Sequence, residues 1–130
     1  MRLLLDTHIA LWLSQGGKEL TAAEREFIDL ASELSVSAAS FWELRLKWNA
    51  RFSSGERKGP ADPIVVRRGL VEYDCNFITV TDDDAVASLE QPIGHSDPFD
   101  ELLLVQAQQR DSRLLTRDRR LIDHPIALAG

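Results

Sequence analysis

The hydrophobic pattern opens on an unbroken apolar run, Leu3-Leu4-Leu5, closed by Asp6-Thr7-His8. A continuous apolar run with turn-favouring residues directly after it predicts a strand buried on both faces, as in the middle of a parallel sheet. Ile9, Leu11, Trp12 and Leu13 then predict a short helix to Ser14, stopped by Gln15-Gly16-Gly17. Thr21 and Glu24 form a capping-box pattern that opens a second helix through about Ala31, with Phe27, Ile28, Leu30 and Ala31 as its apolar side. Leu34 to Ala38 alternates as a strand does. Ser40 to Ala50 predicts a helix, because Phe41, Leu44 and Trp48 fall at i, i+3 and i+7 on one face. Arg51 to Pro63 is polar, carries Gly55, Gly59 and Pro60, and reads as a loop between helices. Ile64 to Tyr73 predicts a further helix and Phe77 to Val80 a third strand, after which Thr81 caps a helix through Leu89. A loop from Gln91 to Pro98 leads into a strong helix ending near Arg110. Arg113 to Thr116 is a fourth strand, followed by a short turn or helix and an edge strand at Ile126 to Leu128. Strands alternating with helices predict right-handed crossovers and a mainly parallel sheet of four or five strands, with helices on both faces.

Composition changes little in this picture. The 130 residues suit one domain spanning 1–130, and 44% hydrophobic with 28% charged residues is ordinary for a soluble globular protein. A formal net charge of −6 gives no overall signal for nucleic-acid binding. Cys75 is alone, which excludes an internal disulfide framework and a multi-cysteine zinc site and fits a reducing compartment. The apolar N-terminal run is shorter than that of a signal peptide, and no run approaches transmembrane length, so a cytoplasmic location with no membrane partner is expected. The pattern shows neither repeats nor low-complexity segments.

Acidic residues carry the chemical signal. Asp6 stands at the carboxyl end of the first strand, where ligands bind in open α/β sheets, and it serves there either as a helix cap or as a site residue. Glu43 lies one turn into the helix after the second strand, where it is also placed to pair with Lys47 at i, i+4. Asp97-Pro98-Phe99-Asp100 has an N-cap residue, a proline at N1 and an acid at N3, which gives Asp97 a capping role first. Asp100 shares a helical face with Leu103, Leu104 and Ala107, and burying it unpaired would be costly, so a positive partner is expected. Asp118 follows the fourth strand as a cap or a site residue. Four carboxylates meeting at the strand ends would repel one another without a cation. An all-oxygen donor set suits magnesium (Mg2+) or manganese (Mn2+), whose usual chemistry in such sites is displacement at phosphorus. His8, His95 and His124 are scattered singly and read as surface or hydrogen-bonding residues.

Four stretches taken together resemble a known family: Leu4-Leu5-Asp6-Thr7-His8, Ser37-Ala38-Ala39-Ser40-Phe41-Trp42-Glu43-Leu44, His95-Ser96-Asp97-Pro98-Phe99-Asp100 and Leu115-Thr116-Arg117-Asp118. They look like the motifs of PIN-domain ribonucleases, and within these of the VapC-like toxins of bacterial toxin–antitoxin pairs, in order and along nearly the whole chain. The resemblance implies a PIN-like α/β/α sandwich and metal-dependent endonucleolytic cleavage of RNA. It implies Asp6, Glu43, Asp100 and Asp118 as the acidic quartet, with Asp6, Asp100 and Asp118 on the metal and Asp97 as a candidate helper. Thr7 and Thr116 match hydroxyl positions that support the acids. It further implies a VapB-like antitoxin and a homodimer. Glu101 departs from the pattern, since relatives often carry arginine there.

RNA is a polyanion, so the negative total charge calls for local basic segments. Residues 43–58 hold Arg45, Lys47, Arg51, Arg57 and Lys58, and residues 110–120 hold five arginines, Arg117 among them. Arg45, Lys47, Arg51 and Arg117 are the residues expected to follow phosphates. Two other classes remain in view. A phosphotransfer or receiver-like domain would use an aspartate after a mid-chain strand, for which Asp82-Asp83-Asp84 is a weak candidate. A catalytically silent interaction domain would have no reason to bind a divalent ion.

Overall fold

The computed structural model describes residues 1–130. Its centre is β1 (Arg2–Leu5), which pairs in parallel with β2 (Glu33–Ser37) on one side and β4 (Arg113–Leu115) on the other. Beyond them lie β3 (Asn76–Ile78) and β5 (Ala127–Leu128), giving a five-stranded, all-parallel sheet in the order β3-β2-β1-β4-β5. Leu4 sits opposite Ser35 on β2 and Leu114 on β4. With successive side chains on opposite faces, Leu3 and Leu5 join one core and Leu4 another. That is why β1 reads as an unbroken apolar run.

The Leu3/Leu5 face is covered by α1 (Thr7–Ser14), α2 (Ala22–Leu30), α3 (Ala38–Asn49) and α4 (Pro63–Val71), which contribute Ile9, Leu13, Ile28, Leu44, Val66 and Leu70. The Leu4 face is covered by α6 (Pro98–Gln109) through Leu103, Leu104 and Ala107, joined by Leu121. Truncating one of these buried leucines to alanine costs roughly 2–5 kcal/mol. Helix α4 approaches α1 closely at Gly69, where a Cβ would stand 2.5 Å from the Ser14 carbonyl oxygen. No helix is long and apolar enough to cross a membrane.

Several boundaries differ from the sequence pattern, and side-chain hydrogen bonds explain them. Helix α1 starts at Thr7 and not Ile9, because Asp6 caps it by accepting from Thr7 N at 2.7 Å. Helix α3 starts at Ala38, because Ser37 Oγ accepts from Ala39 N at 3.0 Å. Strand β3 stops at Ile78; the Thr79 carbonyl accepts from Gln106 Nε2. The helix expected to run to Leu89 is only α5 (Asp82–Val86), since Glu90 N and the Ser88 carbonyl bond instead to the Gln108 amide on α6. Of the short turn or helix expected after Asp118, residues 119–126 form turns, and β5 follows.

One polar knot ties the Leu4 face together. Gln106, fully buried, accepts from Ser37 Oγ and donates to Thr79 O and to Asp84 Oδ2. Asp84 closes the α5 capping box with Thr81 and takes both Arg110 terminal nitrogens at 2.9 Å. The Arg110 guanidinium holds its carboxyl well below the usual carboxylate range. Asp84 is therefore a paired interior acid, which takes it out of the Asp82-Asp83-Asp84 cluster as a phosphoacceptor.

Candidate active site

Because β1, β2 and β4 are parallel, their carboxyl ends and the helices that follow share one edge of the sheet. Asp6 leaves β1 there. Its backbone N–H donates to the Leu115 carbonyl at 3.0 Å, and its carboxylate is divided between two partners. Oδ1 caps α1, while Oδ2 accepts from Thr116 Oγ1 at 2.6 Å. Burial raises the Asp6 pKa, with the Glu43 charge adding to it; the Thr116 and Thr7 hydrogen bonds oppose the shift. The alternatives of cap and site residue are thus not exclusive: one oxygen caps and the other faces β4.

Thr7 connects Asp6 to the next acid. Its Oγ1 donates to Glu43 Oε1 at 2.8 Å and lies 2.9 Å from Ser40 Oγ. Glu43 Oε2 accepts from Lys47 Nζ at 3.0 Å, so the i, i+4 pair forms as well. Thr116 performs the matching task on the other side, accepting from Asp118 N at 3.1 Å while donating to Asp6. The two threonines fix three of the acids relative to one another.

The head of α6 brings the remaining two. Asp97 Oδ1 accepts from Phe99 N at 2.9 Å and Asp100 N at 3.3 Å, which is the cap that its position predicts. Asp100 is buried, and its pKa is pushed up to about 7 by burial first and then by the charges of Asp97, Asp6 and Asp118. Its expected positive partner is Arg120. One terminal guanidinium nitrogen lies 2.9 Å from Asp118 Oδ2, 3.3 Å from Asp100 Oδ2 and 3.7 Å from Asp97 Oδ2. The Arg120 hydrogen bonds hold the Asp118 carboxyl below its usual value.

His95 and Arg120 belong to this constellation although the sequence pattern assigned neither to it. His95 Nδ1 accepts from Asp97 N at 3.2 Å; its Nε2 is buried 3.4 Å from Asp100 Oδ2 without forming a hydrogen bond. His95 opens the motif that holds both aspartates, which was its signal. Arg120 had only its place two residues after Asp118. His8 is exposed against Trp12, and His124 bonds the Gln91 carbonyl, so neither hydrogen-bonds an acid of the site. Glu101 is exposed on α6, and the guanidinium among the acids comes from Arg120 instead.

The basic segments divide differently from expectation. Arg117 is engaged within the chain although 41% of its side chain is exposed. It pairs through two nitrogens with fully buried Glu24, donates to the Glu19 carbonyl at 2.9 Å and lies over the Trp12 ring. Arg110 is held by Asp84, Arg113 by the Ile126 and Ala127 carbonyls, and Arg120 by the acids. Of the five arginines in 110–120, Arg119 alone is left exposed without such a partner. The segment 43–58 keeps its basic surface: Arg45, Lys47 and Arg51 are exposed, Arg45 beside Trp42 and Lys58 over Phe52.

The donor set fits a hard divalent ion. Every candidate ligand is a carboxylate oxygen, the strongest repulsion falls on Asp100, and a cationic nitrogen already lies among Asp97, Asp100 and Asp118. No three acids gather as a ready-made metal cage, and the Arg120 guanidinium lies among Asp97, Asp100 and Asp118.

This fold and edge define a class. A PIN-domain family model matches residues 3–126, and the chain belongs to the PIN-domain family. It is 32% identical over 122 residues to ribonuclease VapC22 of Mycobacterium tuberculosis (strain ATCC 25618 / H37Rv), covering 93% of this chain and 90% of that protein. The fold matches chains in the VapBC2 complex of Rickettsia felis bound to a promoter DNA fragment, with a TM-score of 0.63 at 14% identity over 100% of this chain and 98% of that one. It likewise matches a toxin–antitoxin complex from Klebsiella pneumoniae, with a TM-score of 0.64 at 21% identity over 97% and 95% of the two chains. At these identities the structural matches establish the PIN-like α/β/α fold.

Proposed function

We propose that residues 1–130 form one PIN domain that is a metal-dependent endoribonuclease, the toxin of a toxin–antitoxin pair, acting in the cytoplasm. The observation that carries the reading is the meeting of acids from four separate chain segments at one sheet edge, Asp6 after β1, Glu43 on α3, Asp100 on α6 and Asp118 after β4. The sequence relative named a ribonuclease supports RNA as substrate, and the VapBC and toxin–antitoxin complexes among its structural matches support a VapB-like antitoxin as partner. A homodimer is expected from the family resemblance.

Asp6, Asp100 and Asp118 would hold the ion, magnesium or manganese, with Asp97 at its margin. When bound, such an ion supplies Lewis-acid stabilisation of charge at phosphorus and activation of water. The chain's own residues do the remainder. Thr7 and Thr116 aim Glu43 and Asp6. Asp100, its pKa pushed up to about 7 in the metal-free protein, would give up its proton when it takes the ion.

The test is cleavage of RNA by the purified protein with added Mg2+ or Mn2+. Cleavage should stop in excess chelator, and Asp6→Asn, Glu43→Gln and Asp118→Asn should each remove most of it. Undiminished cleavage in chelator would end the metal mechanism. Calorimetric titration with Mn2+ separates the enzyme from a silent interaction domain, which would take up no ion. Expression without a partner should arrest growth of the host, and co-expression of the antitoxin should relieve the arrest.

A further inference from the structure

Arg120 touches three candidate acids at once, and its anchorage is unlike that of the neighbouring arginines. Asp118 Oδ1 accepts from Arg120 N at 2.9 Å and lies 3.2 Å from its Nε. A turn of two residues therefore lays the guanidinium across Asp118, Asp100 and Asp97. Arg110 and Arg117 end on carboxylates sealed in the interior. Arg120 is 55% exposed and ends on acids that open to the edge of the sheet.

Ion pairs of half-exposed arginines are individually weak. A guanidinium keeps its proton at any ordinary pH, so it can leave only by moving. There is room to move: a cavity of about 320 Å3 adjoins it, lined by Arg120 together with Gly94, Asp123 and His124. Asp123 places a carboxylate within that wall.

We propose that Arg120 is a resident counter-cation of the acidic edge, which offsets the repulsion among Asp97, Asp100 and Asp118 and must swing aside before a divalent ion is bound. The inference rests on the metal-site reading above and deepens it. Ion binding becomes an exchange of one cation for another. The wild-type affinity is then weaker than the acids alone would give, and the released guanidinium stands at the mouth of the site, where a phosphate would arrive. A purely structural Arg120, bracing the head of α6 against the loop after β4, would stabilise the metal-free and loaded forms alike.

The experiment titrates Mn2+ into wild type, Arg120→Gln and Arg120→Lys by calorimetry, without RNA, and records thermal melts of each in chelator and in Mn2+. The Gln variant should bind Mn2+ about two- to fivefold more tightly, the range that half-exposed ion pairs supply. It should also melt lower in chelator and gain more from the ion. Arg120→Lys keeps the charge, loses the planar fork and should fall between the two, so the comparison survives a poorly folding Gln variant. Equal affinities in wild type and both variants would overturn the proposal, as would weaker binding on loss of the charge. No Mn2+ uptake by any of the three, wild type included, would instead overturn the metal-site reading beneath it.

Discussion

At the scale of single residues, the acids of the sheet edge have opposite electrostatic fates. Asp100 is raised from an ordinary value of 3.8 to about 7, by burial and then by Asp97, Asp6 and Asp118, while Asp118 is lowered by Arg120. Between about pH 4 and pH 7 the folded metal-free protein keeps a proton on Asp100 that the unfolded chain has lost. The folded state then binds more protons, so stability falls as pH rises through that window. Asp118, Glu24 and Asp84, all lowered, act the other way; their contribution is present above their ordinary values and lost as pH falls further. In chelator, the wild type should therefore lose about 1–2 kcal/mol between pH 5 and pH 7.5, a figure reduced for screening by Arg120 and solvent. Asp100→Asn should flatten most of this slope and leave the metal-free protein as stable or more so at neutral pH. Asp6, also raised, keeps a residual slope of the same sign. Urea midpoints at the two pH values give the comparison. An equal loss in both proteins would show that Asp100 does not carry the repulsion. Asp6, Asp97, Asp100 and Asp118 could be read from the sequence because each follows a strand or opens a helix. Arg120 could not, because a long side chain reaches its partners by tertiary placement.

At the scale of elements, the strands and major helices follow the apolar pattern closely, since burial on both sheet faces leaves an unbroken run at β1 and a 3.6-residue period on α6. Their ends do not, because polar side chains from distant elements set them; Gln106 and Gln108 on α6 take the backbone groups that would have extended β3 and α5. The same cause ties Arg117 to a partner that its charge did not announce. Its charge suggested RNA, yet Glu24 is 0% exposed and the pair joins α2 to the loop after β4. Arg117→Ala should cost about 2 kcal/mol, below the full cost of orphaning a buried charge because Thr21 still donates to Glu24 and Arg117 is partly solvated. Chemical denaturation measures it, and a change under about 0.5 kcal/mol, ordinary for a surface residue, would return Arg117 to the RNA-facing set. Asp97 allows a similar separation. Asp97→Ala removes the α6 cap and should cost about 1 kcal/mol, whereas Asn caps as well as Asp. If Asp97→Asn retains stability but loses cleavage, Asp97 acts on the ion or the substrate in addition to capping.

At the scale of the whole molecule, a net charge of −6 must be reconciled with a polyanionic substrate. The reconciliation is spatial. The arginines after β4 are mostly spent on internal acids and carbonyls, and Lys47 is shared with Glu43, which leaves α3 and the hairpin-like loop after it as an exposed basic surface. Along it, Arg45 lies beside Trp42, Lys58 over Phe52, and Arg51 donates to the Gly55 carbonyl; Trp42 and Phe52 are 51% and 54% exposed. Exposed aromatics between cations suit single-stranded RNA, whose bases stack on rings while its phosphates meet the charges. Each phosphate neutralised on a single strand contributes about −0.7 to the slope of log affinity against log salt. The pair Arg45→Ala with Arg51→Ala should therefore make the slope shallower by roughly 1 to 1.5 units and weaken binding to all sequences alike, without moving the Mn2+ affinity. Arg117→Ala in the same titration should leave the slope unchanged. Both variants are best made in Asp6→Asn, so that binding is read without cleavage. A slope that stays constant in the double variant and becomes shallower in Arg117→Ala would place the RNA on the other side of the acidic edge, along the loop after β4.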